Sequence, residues 1–446
     1  MTPPPLGTLL ARLRHDRGWS QQRLAAELCA AAGVSTLTRH EISRWERQLR
    51  LPGDFWLGWL AVVLAVPAGL LTDAAARDHH RAAAPGPATG SRPRAALIAV
   101  AHRWAADPRD GLLAAPTAAP LAGLPVGGTP DRVGPLAELR RLDDLVGGAD
   151  LAPAGAYRLG RVVRRLAGAG PVDRRRLLPT LAESAQLCGW LAADAGDAAG
   201  ALGAYRLGLR AAAAAGDPAL GGHVLASASH LLAGVGDPQG ALLLARLGYA
   251  GARRAASPGL RALLLHRVAL AAALGGRHRA AGAALAAAGR ATGAPEPGRE
   301  PPWLYWLDGA ELAAMTGRTL VALGRPGPAE PPLRAAAHRA GRPRSAAVYG
   351  AWLARAHLQA GEVEQACAVA GAALLDAVRA GSPRAVGQLT EVRRRLAEHP
   401  DHPAVRRYGA LVAAVRPWLP RGGPTGRPGP RRPRVGPSRP TRRPGG

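Results

Sequence analysis

The feature that most narrows the fold is a paired signal, Gly followed five residues later by Ala, at Gly196/Ala201, Gly236/Ala241, Gly276/Ala281, Gly324/Ala329 and Gly361/Ala366. The successive intervals are 40, 40, 48 and 37 residues. Each Gly follows an Ala- or Leu-rich stretch, where it can take the left-handed conformation that ends a helix. A second helical stretch then begins, as in ALGAYRLGL and ALLLARLGYA. The repeating unit is therefore a helical hairpin. One hairpin cannot bury its apolar face alone, so a series of them predicts an α-solenoid. The long interval holds Pro295, Pro297, Pro301 and Pro302 and reads as a loop insertion. No stretch alternates with period two and β-branched residues are few, so the expected class is all-α.

The rest of the chain divides by composition. Residues 6–71 read as short helices, Leu6 to Asp16, Ser20 to Ala32, Thr38 to Arg47 and Phe55 to Ala65, with a last piece after Pro67. They predict a five-helix domain over 1–81. Residues 82–135 read as a Pro/Gly-rich linker around one short helix, Ala95 to Ala106, followed by the solenoid over 136–420. The tail 421–446 cannot bury apolar surface and is expected to be disordered. Phe55 to Thr72 is 18 uncharged residues, but Pro67 and Gly69 interrupt it, which argues against a membrane span.

Charge is informative only by location. The formal net charge is +27, and all 58 basic residues are Arg, in keeping with GC-rich codon usage as much as with a polyanionic partner. Eight Arg lie in the tail, and residues 1–80 carry nine Arg against seven acids. Cys29, Cys188 and Cys367 lie far apart, which fits a reducing cytoplasm, and the prolines of MTPPPLG do not suit a secretory signal.

Function is best read from residues 9–52. Ser20 is a good N-cap, Leu24, Ala25 and Leu28 form a packing face, and the helix start can aim Gln21 at a phosphate. Thr38 is the next N-cap. Ile42 and Trp45, three residues apart, should face inward and turn Arg39, His40, Ser43 and Arg44 outward. A helix entering the DNA major groove needs that kind of surface, since guanidiniums read guanine edges and short polar groups read others.

These segments, LLARLRHDRGWSQQRLAAEL and LTRHEISRWERQLRLP, resemble the helix-turn-helix domain of the xenobiotic-response-element family, which includes the Cro and phage-repressor proteins. The resemblance implies base-reading positions at Arg39, His40 and Arg44, backbone contacts from Gln21 and Ser43, and a phosphate-approaching loop with Arg47 and Arg50. It also implies a buried ion pair between Arg14 and Glu46. Eight residues, CAAAGVST, stand between Leu28 and Leu37 where the compact pattern has one Gly, so helix 2 is expected to be extended and joined by a loop. RRLDDLVGG, ESAQLCGWLAADAG and AHLQAGEVEQACAVA resemble the tetratricopeptide-like repeat region of a high-GC actinobacterial regulator family.

No catalytic motif appears: there is no phosphate loop, no Gly-x-Ser-x-Gly and no His-Glu-x-x-His, so an enzyme and a cofactor are not expected. His79 and His80 lack companion ligands, and no metal is expected. Cys29 reads as a small apolar filler, and Trp303, Tyr305 and Trp306 as aromatics packing between helices. The expected function is a cytoplasmic, nucleoid-associated transcriptional regulator that binds double-stranded DNA through residues 38–47. Its solenoid would dimerise, take a peptide or protein effector, or both. The alternative is a non-enzymatic repeat scaffold whose first domain contacts protein.

Overall fold

A computed structural model describes residues 6–34, 37–47, 52–67, 69–72, 74–75, 91–107, 136–291, 300–339 and 341–420. Arg50, His79, His80, Pro295, Pro297, the segments 82–90 and 108–135 and the tail 421–446 lie outside the described residues. Two compact units divide the chain, Met1–Arg92 and Pro93–Gly446. Every regular element among the described residues is a helix.

The first unit holds α1 (Leu6–His15), α2 (Gln21–Ala32), α3 (Arg39–Glu46) and α4 (Asp54–Val63), with further helical residues at 69–72 and 74–75. The Ser20 hydroxyl accepts from the Arg23 N–H at 3.1 Å, satisfying one of the unpaired donors that open α2. Gly33, at φ +67°, ends it. Leu10, Leu24, Leu28, Ile42, Trp45 and Leu60 form the core, none more than 3% exposed. Burial of each such side chain contributes about 1.5–3 kcal/mol. The apolar segment after Pro52 gives this core Leu57, Leu60 and Leu64. No helix among the described residues is long and apolar enough to cross a membrane.

The second unit is an α-solenoid. It opens with α5 (Ser91–Ala106), α6 (Leu136–Leu145), α7 (Gly148–Ala167) and α8 (Pro171–Asp194). Next come α9 (Ala198–Ala215), α10 (Pro218–Gly234), α11 (Pro238–Ala252), α12 (Pro258–Leu274) and α13 (His278–Ala291). It closes with α14 (Gly309–Ala322), α15 (Pro326–Ala337), α16 (Pro343–Gln359), α17 (Val363–Ala380), α18 (Pro383–Leu396) and α19 (Pro403–Val415). Helices α9 to α13 begin at 198, 218, 238, 258 and 278, so the 40-residue period resolves into helix-plus-turn steps of 20. The five glycines of the repeat have φ between +70° and +89°, and the Ala five positions after each is wholly buried. A side chain at these glycines would be strained, and a larger residue than Ala would force the next helix away. Asp197, Asp217 and Asp237 follow three such turns, each accepting an N–H three residues on at 2.9 Å.

The helix of the expected linker differs from its reading. It begins at Ser91 and from Pro93 on lies in the second unit, where Trp104 is fully buried in a notch between Gly221 and Gly251. A Cβ at Gly221 would sit 2.7 Å from that indole, and one at Gly251 2.5 Å away, so both positions must lack one. Arg94 adds an ion pair to Asp237 at 2.5 Å. This segment is a packed helix of the body because two facing glycines make room for one large aromatic.

The solenoid also curls until its beginning meets its end. The Gly147 N–H donates to the Ala380 carbonyl at 2.5 Å, at a place where a Cβ on Gly147 would lie 2.3 Å from the same oxygen. Asp194, wholly buried at the end of α8, accepts from the Gly148 N–H at 2.7 Å, the Ser382 hydroxyl at 2.9 Å and Arg384 Nε at 2.8 Å. Burial alone would raise its carboxyl pKa, but Arg384, Arg344 and the Gly148 N–H outweigh that and hold it below the usual range. Arg344 pairs with Asp143 on α6, which also accepts from Trp190 Nε1 at 3.0 Å. Burial pushes the Asp143 carboxyl up and the guanidinium pulls it back only in part. Arg344 is held charged, the attraction of Asp143 and Asp194 exceeding its own desolvation.

Candidate nucleic-acid interface

The face built by α3 follows from two buried side chains. Ile42 and Trp45, 1% and 3% exposed, fix one side of the helix in the core, with Trp45 tilted against Trp56 at 6.1 Å between ring centroids. The opposite side is thereby presented to solvent. Thr38, Arg39, His40, Arg44 and Arg47 are exposed, and Ser43 is half-buried. Thr38 holds the N-cap position with extended backbone, φ −117° and ψ 163°, but its hydroxyl makes no cap hydrogen bond. Arg44 leans on Glu41 one turn back at 3.0 Å, a pair 59% exposed on the Arg side and weak enough to exchange for another acceptor.

Below this face lies a buried polar network. Arg14 on α1 grips Glu46 at the end of α3 with two hydrogen bonds, Nε to Oε1 at 2.6 Å and Nη2 to Oε2 at 2.9 Å. Its Nη1 also reaches the Trp19 carbonyl at 2.7 Å, and both charged side chains are 7% exposed. The Glu46 hydrogen bond raises the Arg14 pKa further above its ordinary value. Such a bidentate pair sets the angle of α3 against α1. Gln21 joins the network: its amide donates to Glu46 Oε2 at 2.7 Å, so here it braces the end of α3 from the start of α2.

Two features escaped the sequence reading. Trp19, just before α2, has the guanidiniums of Arg23 and Arg17 at 5.4 and 6.0 Å from its ring, and Arg23 is exposed on the first turn of α2. Glu41 is the second: it places a carboxylate among Arg39, His40 and Arg44 on the same helix. The adjacency Trp19-Ser20-Gln21-Gln22-Arg23 was the available signal for the first. Cys29 lies in the last turn of α2, its thiol 3.5 Å from the Leu37 carbonyl. Groups of three or more His, Cys, Asp or Glu able to hold a metal do not occur among the described residues. Compared with family profiles, curated proteins and solved structures, the chain matches none of them.

Proposed function

We propose that the chain is a sequence-specific DNA-binding regulator of the helix-turn-helix type, with α3 as the recognition helix. One observation carries this reading: Arg39, His40 and Arg44 stand exposed on a short helix whose other side is locked by Ile42, Trp45 and the Arg14–Glu46 pair. A preorganised helix with outward guanidiniums suits base edges in the major groove, since little is then lost in ordering the face on contact. Gln22, Arg23 and Arg47 flank it as exposed groups suited to the sugar-phosphate backbone. The solenoid is the natural part to pair two copies, which would raise the effective concentration of the second DNA-binding unit. The resemblance to the Cro and phage-repressor family supports this reading, as does the likeness of the body to actinobacterial regulators with repeats.

Selection of bound fragments from the source genome by the full chain tests it. A recovered consensus site should then lose about 1–3 kcal/mol of binding with Arg39→Ala or Arg44→Ala while random DNA is held nearly as before. Equal losses on both would remove base reading from α3. The scaffold reading draws on Phe55 and Val62, 57% and 66% exposed in the first unit, as apolar groups suited to a protein contact. Steep weakening with salt belongs to DNA binding and not to such a contact.

A further inference from the structure

Inside the curled solenoid lies a partly open cavity of about 110 Å³, lined from α6, α8, α10, α12, α14, α16 and α18 and by the aromatic segment 303–306. A second hollow of about 370 Å³ shares Trp190, Ser227, His230, Arg318, Val348 and Arg384 with it. Six arginines line the first cavity. Four have carboxylates: Arg344 with Asp143, Arg384 with Asp194, Arg140 with Glu183 at 2.8 Å, and Arg342 with Asp144 at 4.0 Å. Arg267 and Arg318 do not. They are 5% and 4% exposed, and among the described residues neither forms an ion pair and the Nε of each lacks a hydrogen-bond partner. Glu311, the remaining lining carboxylate, accepts from the Tyr349 hydroxyl, and Arg318 lies over that tyrosine ring at 5.2 Å.

The hydrogen bonding around Arg267 cannot close on itself. His230 turns Nδ1 towards Arg267 Nη1 at 3.3 Å and Nε2 towards Arg384 Nη1 at 3.0 Å. A neutral imidazole has one acceptor nitrogen and one N–H, and arginine only donates. His230 can therefore serve one guanidinium and must point an N–H at the other. Protonation offers no relief, because burial and the neighbouring guanidiniums hold His230 well below its ordinary pKa. Burial and the repulsion of Arg318 likewise lower Arg267 to about 9, which leaves it charged at neutral pH. A buried charge with a missing acceptor is costly unless something anionic supplies one.

We propose that this interior is a binding site for a small organic oxyanion, a carboxylate or phosphate compound, whose oxygens accept from Arg267 and Arg318. Guanidiniums are suited to both groups, since their planar donors match two oxygens at once. The ligand is small because the cavity holds only about 110 Å³. His223 stacked on Trp303 at 4.6 Å, and Trp190 stacked on His230 at 5.6 Å, form fixed walls on two sides. These two arginines take no part in the ion pairs that close the solenoid, which are those of Asp143 and Asp194 and use Arg344 and Arg384.

Titration calorimetry and thermal denaturation of the full chain, without DNA, test the site apart from the reading of α3. The probes are inorganic phosphate, pyrophosphate, succinate and citrate, against chloride at equal ionic strength. At least one oxyanion should bind saturably and raise the melting temperature beyond the chloride control, and whichever class does so identifies the group. Arg267→Gln and Arg318→Gln should each weaken that binding at least tenfold. In oxyanion-free buffer each should melt no lower than the parent protein, because a mutual repulsion has been removed. Absence of oxyanion binding above chloride, undiminished binding in both variants, or failure of both variants to fold would overturn the proposal, the last by showing the two arginines to be structural.

Discussion

Replacing Asp194 with Ala tests how the solenoid is closed. Its carboxylate serves three donors that belong to separate parts of the unit, the Gly148 N–H opening α7 and Ser382 and Arg384 opening α18. A hydrogen bond to a charged group is worth about 1.5–3 kcal/mol, so three of them set a ceiling of roughly 4.5–9 kcal/mol. The true cost is lower because two donors keep other contacts: Arg384 lies 4.6 Å from the Trp190 ring, and the Ser382 hydroxyl still accepts from the Ala385 N–H at 3.2 Å. The expected loss is about 3–5 kcal/mol, the usual cost of stranding one member of a buried pair. Urea denaturation followed by far-UV circular dichroism gives the stability, and hydrogen exchange over residues 146–150 and 380–386 gives its location. Removing Arg384 as well should cost less than the two single losses added together, since no unpaired guanidinium then remains. A loss below about 1 kcal/mol with unchanged exchange at the Gly148 amide would refute the assignment of closure to Asp194.

Trp104→Ala should destabilise the second unit by about 3–5 kcal/mol and free α5, seen as rapid exchange over residues 91–106, because the glycine notch cannot collapse around the missing indole. Arg14→Ala should cost the first unit about 3 kcal/mol, the low end for a broken buried pair since Gln21 stays on Glu46, with faster exchange across α3 as the measure. Acid should weaken the second unit. Burial, aided by Arg140 and Arg267, lowers His223 to about 3, while burial, aided by Arg267 and Arg318, lowers His266 to about 4. Unfolded imidazoles bind protons below about 6.5 and these two folded ones do not, so stability is complete above that pH and declines as pH falls towards 4. The slope is at most about 1.4 kcal/mol per pH unit for each residue, and melting temperature against pH, compared with His266→Gln, checks it.

The hairpins were legible because each turn needs a Gly in the left-handed region and each close approach needs an Ala, and a 40-residue period repeats both. The finer 20-residue step was also written, as Gly-Asp at 196, 216 and 236, where carboxylate caps follow left-handed turns. Closure was not legible. Asp194 and Arg384 are 190 positions apart, and a single pairing at that distance leaves no periodic mark. Trp104 was hidden for a similar reason: its partners, Gly221 and Gly251, read as ordinary small residues within helices. At the candidate site, the spacing of Ile42 and Trp45 was enough to orient α3. The hydrogen bond from Gln21 to Glu46 was not legible, because a single contact between residues 25 positions apart leaves no pattern in the sequence. The unpaired Arg267 and Arg318 could not be told from surface arginines in a chain so rich in them.

An open stack of hairpins can gain or lose a member at little cost, since each touches only its neighbours, and such stacks drift readily in length. The bond from Gly147 to Ala380 and the three donors on Asp194 forbid that drift here. Inserting or deleting one 40-residue hairpin would carry Ser382 and Arg384 past Asp194 and strand charges on both sides of the seam. The seam therefore counts the hairpins between α8 and α18, and duplication of a single one there is closed to this protein.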